Sequence, residues 1–181
     1  MKVNKQFKEL LETLVVAGVL AFFIITFVAQ SFVVQGESMN PTLNSGERLF
    51  VDKLTYRFND PQRGEIVVFT PQGAPNKKYI KRIIGIPGDE VLIKEQKVYV
   101  NGKQIKESYI DEKTLGDFGP YEVPAEHLFV LGDNRNNSAD SRYTSLIGFV
   151  SYESISGRAF WVYWPFSEIR FIEHKSYQKV K

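Results

Sequence analysis

Residues 13–36 form a run of 24 residues without a charged side chain, in a chain of 181. A helix rises ~1.5 Å per residue, so residues 14–34 would reach about 31 Å, one hydrocarbon thickness of a bilayer. We therefore predict a transmembrane helix over 14–34, between a head of residues 1–13 and a domain of residues 35–181. The domain has roughly 145 residues, enough to bury its own core.

The charges around this run predict its orientation. Three lysines precede it, whereas two basic residues are the first to follow it: Lys2, Lys5 and Lys8, then Arg48 and Lys53. Cytoplasmic segments are enriched in positive charge, so we predict a single-pass protein of the cell membrane with its head cytoplasmic and its domain extracytoplasmic. The alternative is a removable secretory signal, cut at the small-x-small site Ala29-Gln30-Ser31.

The composition excludes several kinds of partner. The net charge is +2 and there is no long basic run, so we expect no nucleic acid partner. The chain has no cysteine, which excludes disulfides and thiol nucleophiles. Its two histidines, His127 and His174, are far apart, so we expect neither a metal nor another cofactor.

After Ser38 the sequence alternates short β-branched and aromatic runs with Gly, Pro and Asn, which predicts an all-β domain. The predicted strands are 48–53, 65–69, 79–84, 91–94, 98–100, 128–131, 149–150 and 157–163. Asn101-Gly102 predicts a tight type I′ hairpin turn. Residues from about 95 to 124 are richer in charge and glycine, so we interpret them as an inserted hairpin with loops.

Ser38 stands in Ser38-Met39-Asn40-Pro41-Thr42, directly after the uncharged run. Pro41 prevents a helix from continuing and restricts Asn40 to extended geometry, so the hydroxyl should be held on a stiff turn. The alternative is an ordinary proline turn without a catalytic role, because such turns have the same sequence pattern. If Ser38 is a nucleophile it needs a base, and lysines, carboxylates and the two distant histidines are all candidates.

Lys81 is the lysine that the pattern favours as a base. In the predicted strand 79–84 it shares a face with Tyr79 and Ile83, and Arg82 lies on the other face, so burial of either face buries a basic residue. Burial favours the neutral amine, which can deprotonate a hydroxyl. The alternative is a lysine that extends to solvent from an edge strand.

Residues 132–142 form a polar loop, Gly-Asp-Asn-Arg-Asn-Asn-Ser-Ala-Asp-Ser-Arg, after an apolar strand. Asp–Arg pairs and Asx turns can make such a loop rigid enough for Ser138 to orient a buried amine. A solvated turn would have a similar composition.

In this order, these segments resemble bacterial type I signal peptidase, the membrane-bound Ser/Lys protease that removes secretory signal peptides. The resemblance covers the uncharged run and nearly the whole domain. Its motifs are the Ser38 box, Gly46-Glu47-Arg48-Leu49-Phe50-Val51-Asp52-Lys53, Arg63-Gly64-Glu65-Ile66-Val67-Val68-Phe69, Lys81-Arg82-Ile83-Ile84-Gly85-Ile86-Pro87-Gly88-Asp89 and the 132–142 loop.

The resemblance implies Ser38 as nucleophile, Lys81 as general base and Ser138 as the hydroxyl that orients the lysine. It implies that the Ser38 backbone N–H binds the oxyanion, and that four residues support the site: Arg82, Asp133, Asp140 and Arg142. The implied reaction passes through an acyl-enzyme. The implied substrates are secretory preproteins with small residues at the first and third positions before the cut, processed near the translocon at the bilayer.

The sequence departs from the family pattern at two places. Gly36 stands where some members carry a serine that donates to the oxyanion, and residues 142–149 have a longer link than usual. Two other functions remain open from the residues alone: a self-cleaving Ser/Lys protease of the repressor type and a noncatalytic membrane-anchored β domain. The aromatic run 160–166 is interpreted as a core strand or as a contact with lipid headgroups.

Overall fold

The computed structural model describes residues 2–23, 28–175 and 177, with side chains from residue 5 onward. The described part is mainly β, as predicted. Its α-helices are α1 (Lys2–Phe23) and α2 (Thr55–Phe58), and its strands are β1 (Ala29–Val33), β2 (Arg48–Asp52), β3 (Ile66–Phe69), β4 (Tyr79–Gly85), β5 (Glu90–Lys94), β6 (Lys97–Val100), β7 (Lys103–Gln104), β8 (Phe118–Glu122), β9 (His127–Leu131), β10 (Val150–Ser151), β11 (Ile155–Trp164) and β12 (Arg170–Phe171).

The larger sheet has the strand order β1-β2-β11-β3-β4-β9-β10, and β12 adds to β11. Its pairs are antiparallel. The central strand β3 is buried on both faces, because Ile66 and Val68 join one apolar cluster while Val67 and Phe69 join another. Strand β4 lies next to β3, so its side chains also point into covered space on both sides.

The smaller sheet has the order β7-β6-β5-β8 and contains the region predicted as an insertion. It begins at Glu90, a few residues before the predicted boundary. Its apolar face packs against Ile84, Phe129 and Leu131 of the larger sheet. The predicted hairpin turn is confirmed, since Asn101 (φ 50°) and Gly102 (φ 73°) both have positive φ between β6 and β7.

The predicted helix over residues 14–34 is wrong in its last part. Helix α1 ends at Phe23, residues 24–27 lie outside the described residues, and Ala29–Val33 forms β1. All five residues of β1 pair with β2, which supplies the backbone partners that a helix would have supplied internally. A run without charged residues is compatible with an edge strand as well as with a helix. The alternative cleavage site, Ala29-Gln30-Ser31, lies in this strand.

Among the described residues, no helix combines the length and the apolar character needed to cross a bilayer.

The aromatic run 160–166 has two environments. Val162 is fully buried in the core, whereas Trp161 and Tyr163 point to the opposite face of β11. On that face, the ring of Phe50 stacks on Trp161 at 5.8 Å, and Trp161 stacks on Phe171 at 6.2 Å. The strand is thus core on one side and a partly exposed aromatic row on the other, so the core interpretation is confirmed for one face, and contact of the other face with lipid headgroups stays a prediction.

Candidate active site

Ser38 lies in the turn that joins β1 to β2, which agrees with the turn predicted from Pro41. The ends of this turn are joined by a hydrogen bond from the Val34 N–H to the Glu47 carbonyl, at 2.8 Å. Met39 and Leu43 anchor the turn because both side chains are buried in the core cluster. Ser38 itself stays partly exposed. We call residues 34–47 the nucleophile turn, after the role that the resemblance implies for Ser38.

Lys81 reaches the nucleophile turn from the middle of β4. Its side chain is only 2% exposed, and Nζ donates hydrogen bonds to Ser38 Oγ at 2.6 Å and to the Ile80 carbonyl at 2.8 Å. Burial lowers the pKa of Lys81 from 10.5 to about 8, while the carboxylates of Asp140 and Asp133 act in the opposite direction. The predicted alternative of an exposed edge lysine is therefore wrong, because both faces of β4 are covered.

Arg82, the next residue of β4, points to the opposite face and is fully buried. It forms a two-pronged ion pair with Asp133, with Nε–Oδ1 at 2.8 Å and Nη2–Oδ2 at 2.6 Å. Its Nη1 donates to the Gly64 carbonyl at 2.8 Å, and the Thr42 hydroxyl donates to Asp133 Oδ2. This pair therefore joins β4 to the nucleophile turn and to the 132–142 loop.

Asp140 and Arg142 form a second ion pair within the 132–142 loop. Arg142 Nε and Nη2 each donate to the Asp140 carboxylate at 2.8 Å, and Asp140 also accepts from the Gly132 N–H. The loop packs closely on the nucleophile turn, since a Cβ added at Gly132 would lie 2.4 Å from the Ser38 carbonyl oxygen. That carbonyl accepts a hydrogen bond from the Asn134 N–H at 3.1 Å.

Ser138 lies beside Gly132, in contact with the position that a Cβ at Gly132 would occupy. Among the described residues, its buried hydroxyl has no hydrogen-bond partner. Lys81 is held instead by Ser38 and by the carbonyl of Ile80. The role of Ser138 in orienting the lysine stays a prediction.

Gly36 has φ of +84°, and the space beside its Cα is open. Its N–H donates to the Ser45 hydroxyl at 3.2 Å. A side chain is strained at this φ, so the backbone conformation explains why a glycine stands where some family members have a serine donor.

A cleft of about 650 Å³ opens at Ser38 and Lys81. It is lined mainly by two segments, residues 32–38 and residues 76–81, together with Leu49, Val68, Asn137 and Ala139. Both histidines lie elsewhere. His127 Nδ1 is within hydrogen-bond distance of the Ala125 carbonyl, and the pKa of His174 is lowered by burial and by the nearby charge of Arg158.

Sequence reasoning missed a buried cluster behind the 132–142 loop. Arg135 is 1% exposed and pairs with Glu107, and it also donates to the Gly132 carbonyl, the Thr114 hydroxyl and the Tyr109 hydroxyl. The Tyr109 ring lies 4.1 Å from the Arg82 guanidinium carbon. Arg135 was visible as a second arginine in the polar loop, but its partners outside that loop come from the segment that connects β7 to β8 in the smaller sheet.

The model of one protein family, described as signal peptidase, peptidase S26, matches residues 7–164. The chain belongs to the signal peptidase family. It is 49% identical over 162 residues to the probable signal peptidase I-2 of Synechocystis sp., covering 87% of this chain and 73% of that protein. It is 40% identical over 172 residues to the signal peptidase I of Bacillus licheniformis, covering 90% of this chain and 91% of that protein.

A solved structure of signal peptidase I from Enterococcus faecalis is 33% identical, with a TM-score of 0.49, and covers 55% of this chain and 97% of that one. The resemblance stated from the motifs is thus confirmed by the family match and by the relatives. The chain is a serine peptidase, a hydrolase of the signal peptidase I type.

Replacing Asp133 by Asn tests the buried ion pair. We expect Asp133→Asn to lower the free energy of unfolding by about 3–5 kcal/mol, because it leaves the buried Arg82 charge without a counterion. Urea unfolding followed by circular dichroism measures this loss. Asp117→Asn, at an exposed position, is the control and should change stability by less than about 0.5 kcal/mol. Equal stabilities for both variants would contradict the structural role of the pair.

Proposed function

We propose that this signal peptidase is a serine endopeptidase that removes signal peptides from exported preproteins with a Ser38/Lys81 dyad. The observation that carries the proposal is the 2.6 Å contact between Ser38 Oγ and the Nζ of a lysine that is 2% exposed. A serine hydroxyl needs an adjacent base, and a buried amine with a lowered pKa is a competent one near neutral pH.

The dyad acts in two stages. Neutral Lys81 accepts the Ser38 proton as Oγ attacks the scissile carbonyl, and the resulting ammonium then protonates the leaving amine, which leaves an acyl-enzyme. Lys81 next takes a proton from water, the hydroxide attacks the ester, and the proton returns to Ser38 Oγ as the acid departs. The Ser38 backbone N–H is the proposed donor to the oxyanion, since Gly36 supplies no side-chain donor.

The polar residues around the dyad have supporting roles. We assign Ser138 as the hydroxyl that orients the Lys81 amine, because it is buried beside the nucleophile turn and its own hydrogen-bonding capacity is unused among the described residues. Arg82 and Asp133 hold β4, the turn and the loop together, and the ion pair of Asp140 with Arg142 stabilises the loop internally.

The cleft walls suit an extended peptide. An extended preprotein segment between residues 32–38 and 76–81 can add as a strand, which presents alternate side chains to the walls. Small residues at the first and third positions before the cut would leave the peptide backbone close enough for Ser38 to reach the carbonyl. The cleavage specificity is therefore proposed as small-x-small.

Cleavage of a preprotein whose signal peptide ends in Ala-x-Ala by the wild type, Ser38→Ala and Lys81→Ala tests the dyad. We expect each variant to lose activity by at least about 10³-fold, because nucleophile and base act as one unit. Product mass identifies the cut. Ser145→Ala and Lys94→Ala, at exposed positions away from the cleft, are matched controls and should retain full activity. Equal cutting by all five proteins would overturn the dyad, and no cutting by the wild type would favour a noncatalytic domain.

The pH dependence of kcat/KM provides a second test. Lys81 acts as a base only when neutral, and its pKa is lowered to about 8, so the rate should fall about tenfold per unit of pH below that value and level off above it. A peptide substrate without titrating groups keeps the profile free of substrate ionisation. A rate that stays constant between pH 6 and pH 9 would exclude Lys81 as the base.

We also propose that the enzyme works on the extracytoplasmic surface of the cell membrane, beside the translocon from which preproteins emerge. Two features support lipid contact: the apolar side chains exposed along α1, such as Leu14 and Val19, and the aromatic row of Phe50, Trp161 and Phe171. Aromatic residues favour the membrane–water interface, where an apolar ring and polar surroundings coexist.

Intrinsic fluorescence tests the lipid contact, because both tryptophans of the chain, Trp161 and Trp164, lie in β11. In Trp164→Phe, which leaves Trp161 alone, we expect vesicles containing brominated lipid to quench the fluorescence relative to unbrominated vesicles, since bromine quenches only at short range. Trp161→Phe leaves Trp164 alone and tests its contact with lipid in the same way. Protein that floats with the vesicles but is not quenched in either variant would show that this row does not contact lipid.

A further inference from the structure

The C-terminal segment crosses the back of the site after the family-matched residues end at 164. We call residues 170–175 together with Tyr177 the C-terminal strap. It begins as β12, which pairs with β11, and the Ile172 N–H continues this pairing to the Phe160 carbonyl at 2.9 Å. Ile172 is buried in the core cluster that anchors the nucleophile turn, and Tyr177 is buried in the core of the smaller sheet.

The first contact of the strap with the site is made by Arg170. Its Nη2 donates to the Thr42 carbonyl at 2.7 Å and to the Glu47 carboxylate at 2.9 Å. Glu47 is 2% exposed and also accepts from the Asn44 N–H. Arg170 therefore binds the end of the nucleophile turn through its backbone and through a buried acid.

The second contact lies at Gly64. A Cβ added there would lie 1.7 Å from the carbonyl oxygen of Lys175, so the strap rests directly on the glycine backbone. The carbonyl of the same glycine accepts the hydrogen bond of Arg82 Nη1. The strap thus contacts Gly64, whose carbonyl binds Arg82, the neighbour of Lys81 in β4.

The third contact is between two buried tyrosines. The Tyr177 and Tyr109 hydroxyl oxygens are 2.5 Å apart, and the Tyr109 ring lies against the Arg82 guanidinium at 4.1 Å. Burial raises the pKa of both tyrosines, so both hydroxyls stay protonated and one can donate to the other. Tyr177 therefore closes the side of the Arg82 site that lies away from the cleft.

We propose that the C-terminal strap is a positioning element for the Ser38/Lys81 pair. Ser38 and Lys81 are 43 residues apart in the chain, and their contact depends on how the nucleophile turn sits against β4. The strap binds the turn through Arg170 and supports β4 through Gly64, Tyr109 and Arg82. It touches neither reacting atom. A misplacement of about 1 Å between reacting groups can cost roughly 100-fold in rate, so small losses of support reach the chemistry.

This inference rests on the proposed dyad, and its test uses the 181-residue chain with a peptide that contains an Ala-x-Ala cleavage site. We expect Tyr177→Ala to lower kcat about tenfold with little change in KM, because the loss is in alignment and not in peptide binding. Tyr177→Phe keeps the packing of the ring and should stay within about threefold of the wild type. Tyr121→Ala removes an exposed tyrosine of the smaller sheet and serves as the control.

The pH profile separates positioning from general stability. Burial lowers the pKa of the Lys81 amine, and the negative charges of Asp140 and Asp133 oppose this effect. Loosening the strap admits water to this region and weakens the effect of burial, so the acidic limb of kcat in Tyr177→Ala should move to higher pH. A change in stability alone lowers the amount of folded enzyme at every pH and leaves the limb where it was.

The outcomes are distinct. If folded Tyr177→Ala has the kcat and the acidic limb of the wild type, the strap is only packing, whatever its melting temperature. If Tyr177→Ala does not fold, Arg170→Gln is the variant that tests the proposal. It removes the hydrogen bonds to the nucleophile turn at a side chain that is 33% exposed, so we expect it to fold. A wild-type kcat in Arg170→Gln would overturn the proposal. Wild-type cutting by Ser38→Ala in the same assay would instead refute the dyad itself.

Discussion

The ion pair between Arg82 and Asp133 is the interaction on which the rest of the site depends. Both side chains are fully buried, and a buried charge destabilises a protein unless its partner and its remaining hydrogen bonds are in place. Here the guanidinium is matched by both carboxylate oxygens and by the Gly64 carbonyl, and Asp133 also accepts from Thr42. Because the buried Arg82 needs both a counterion and hydrogen-bond acceptors, its interactions join β4, the nucleophile turn and the 132–142 loop.

Lys81 and Arg82 are two buried basic residues of the same strand, and the structure accommodates their charges in different ways. The alternation of a strand sends them to opposite faces, and β4 is covered on both. Arginine keeps its proton under all relevant conditions, so the fold gives it a counterion. Lysine can lose its proton, and its hydrogen-bond acceptors, Ser38 Oγ and the Ile80 carbonyl, are both neutral. Burial thus lowers the Lys81 pKa to about 8 although two carboxylates oppose it.

The two sides of the site differ in packing and access. On the cleft side, a cavity of about 650 Å³ is open and Gly36 adds no side chain, which its φ of +84° favours. On the far side, Arg135, Tyr109 and Tyr177 form a closely packed layer of charge and aromatic rings behind Arg82. The cleft is thus open on the side of Ser38 and Lys81, while the side of Arg82 is filled by packed residues.

The sequence by itself determined the β class, the positions of the predicted strands, the Asn101-Gly102 turn and the family, because these depend on local alternation, turn chemistry and motif spacing. It also indicated that β4 would bury a basic residue. Only the tertiary structure decided that both basic residues are buried, since this depends on what covers each face. The uncharged run misled the prediction at Ala29–Val33, where the edge of β2 offered backbone partners. The sequence did not predict the partners of Arg135 or the course of the C-terminal strap either. Contacts between residues far apart in the chain leave no periodic signal in either segment.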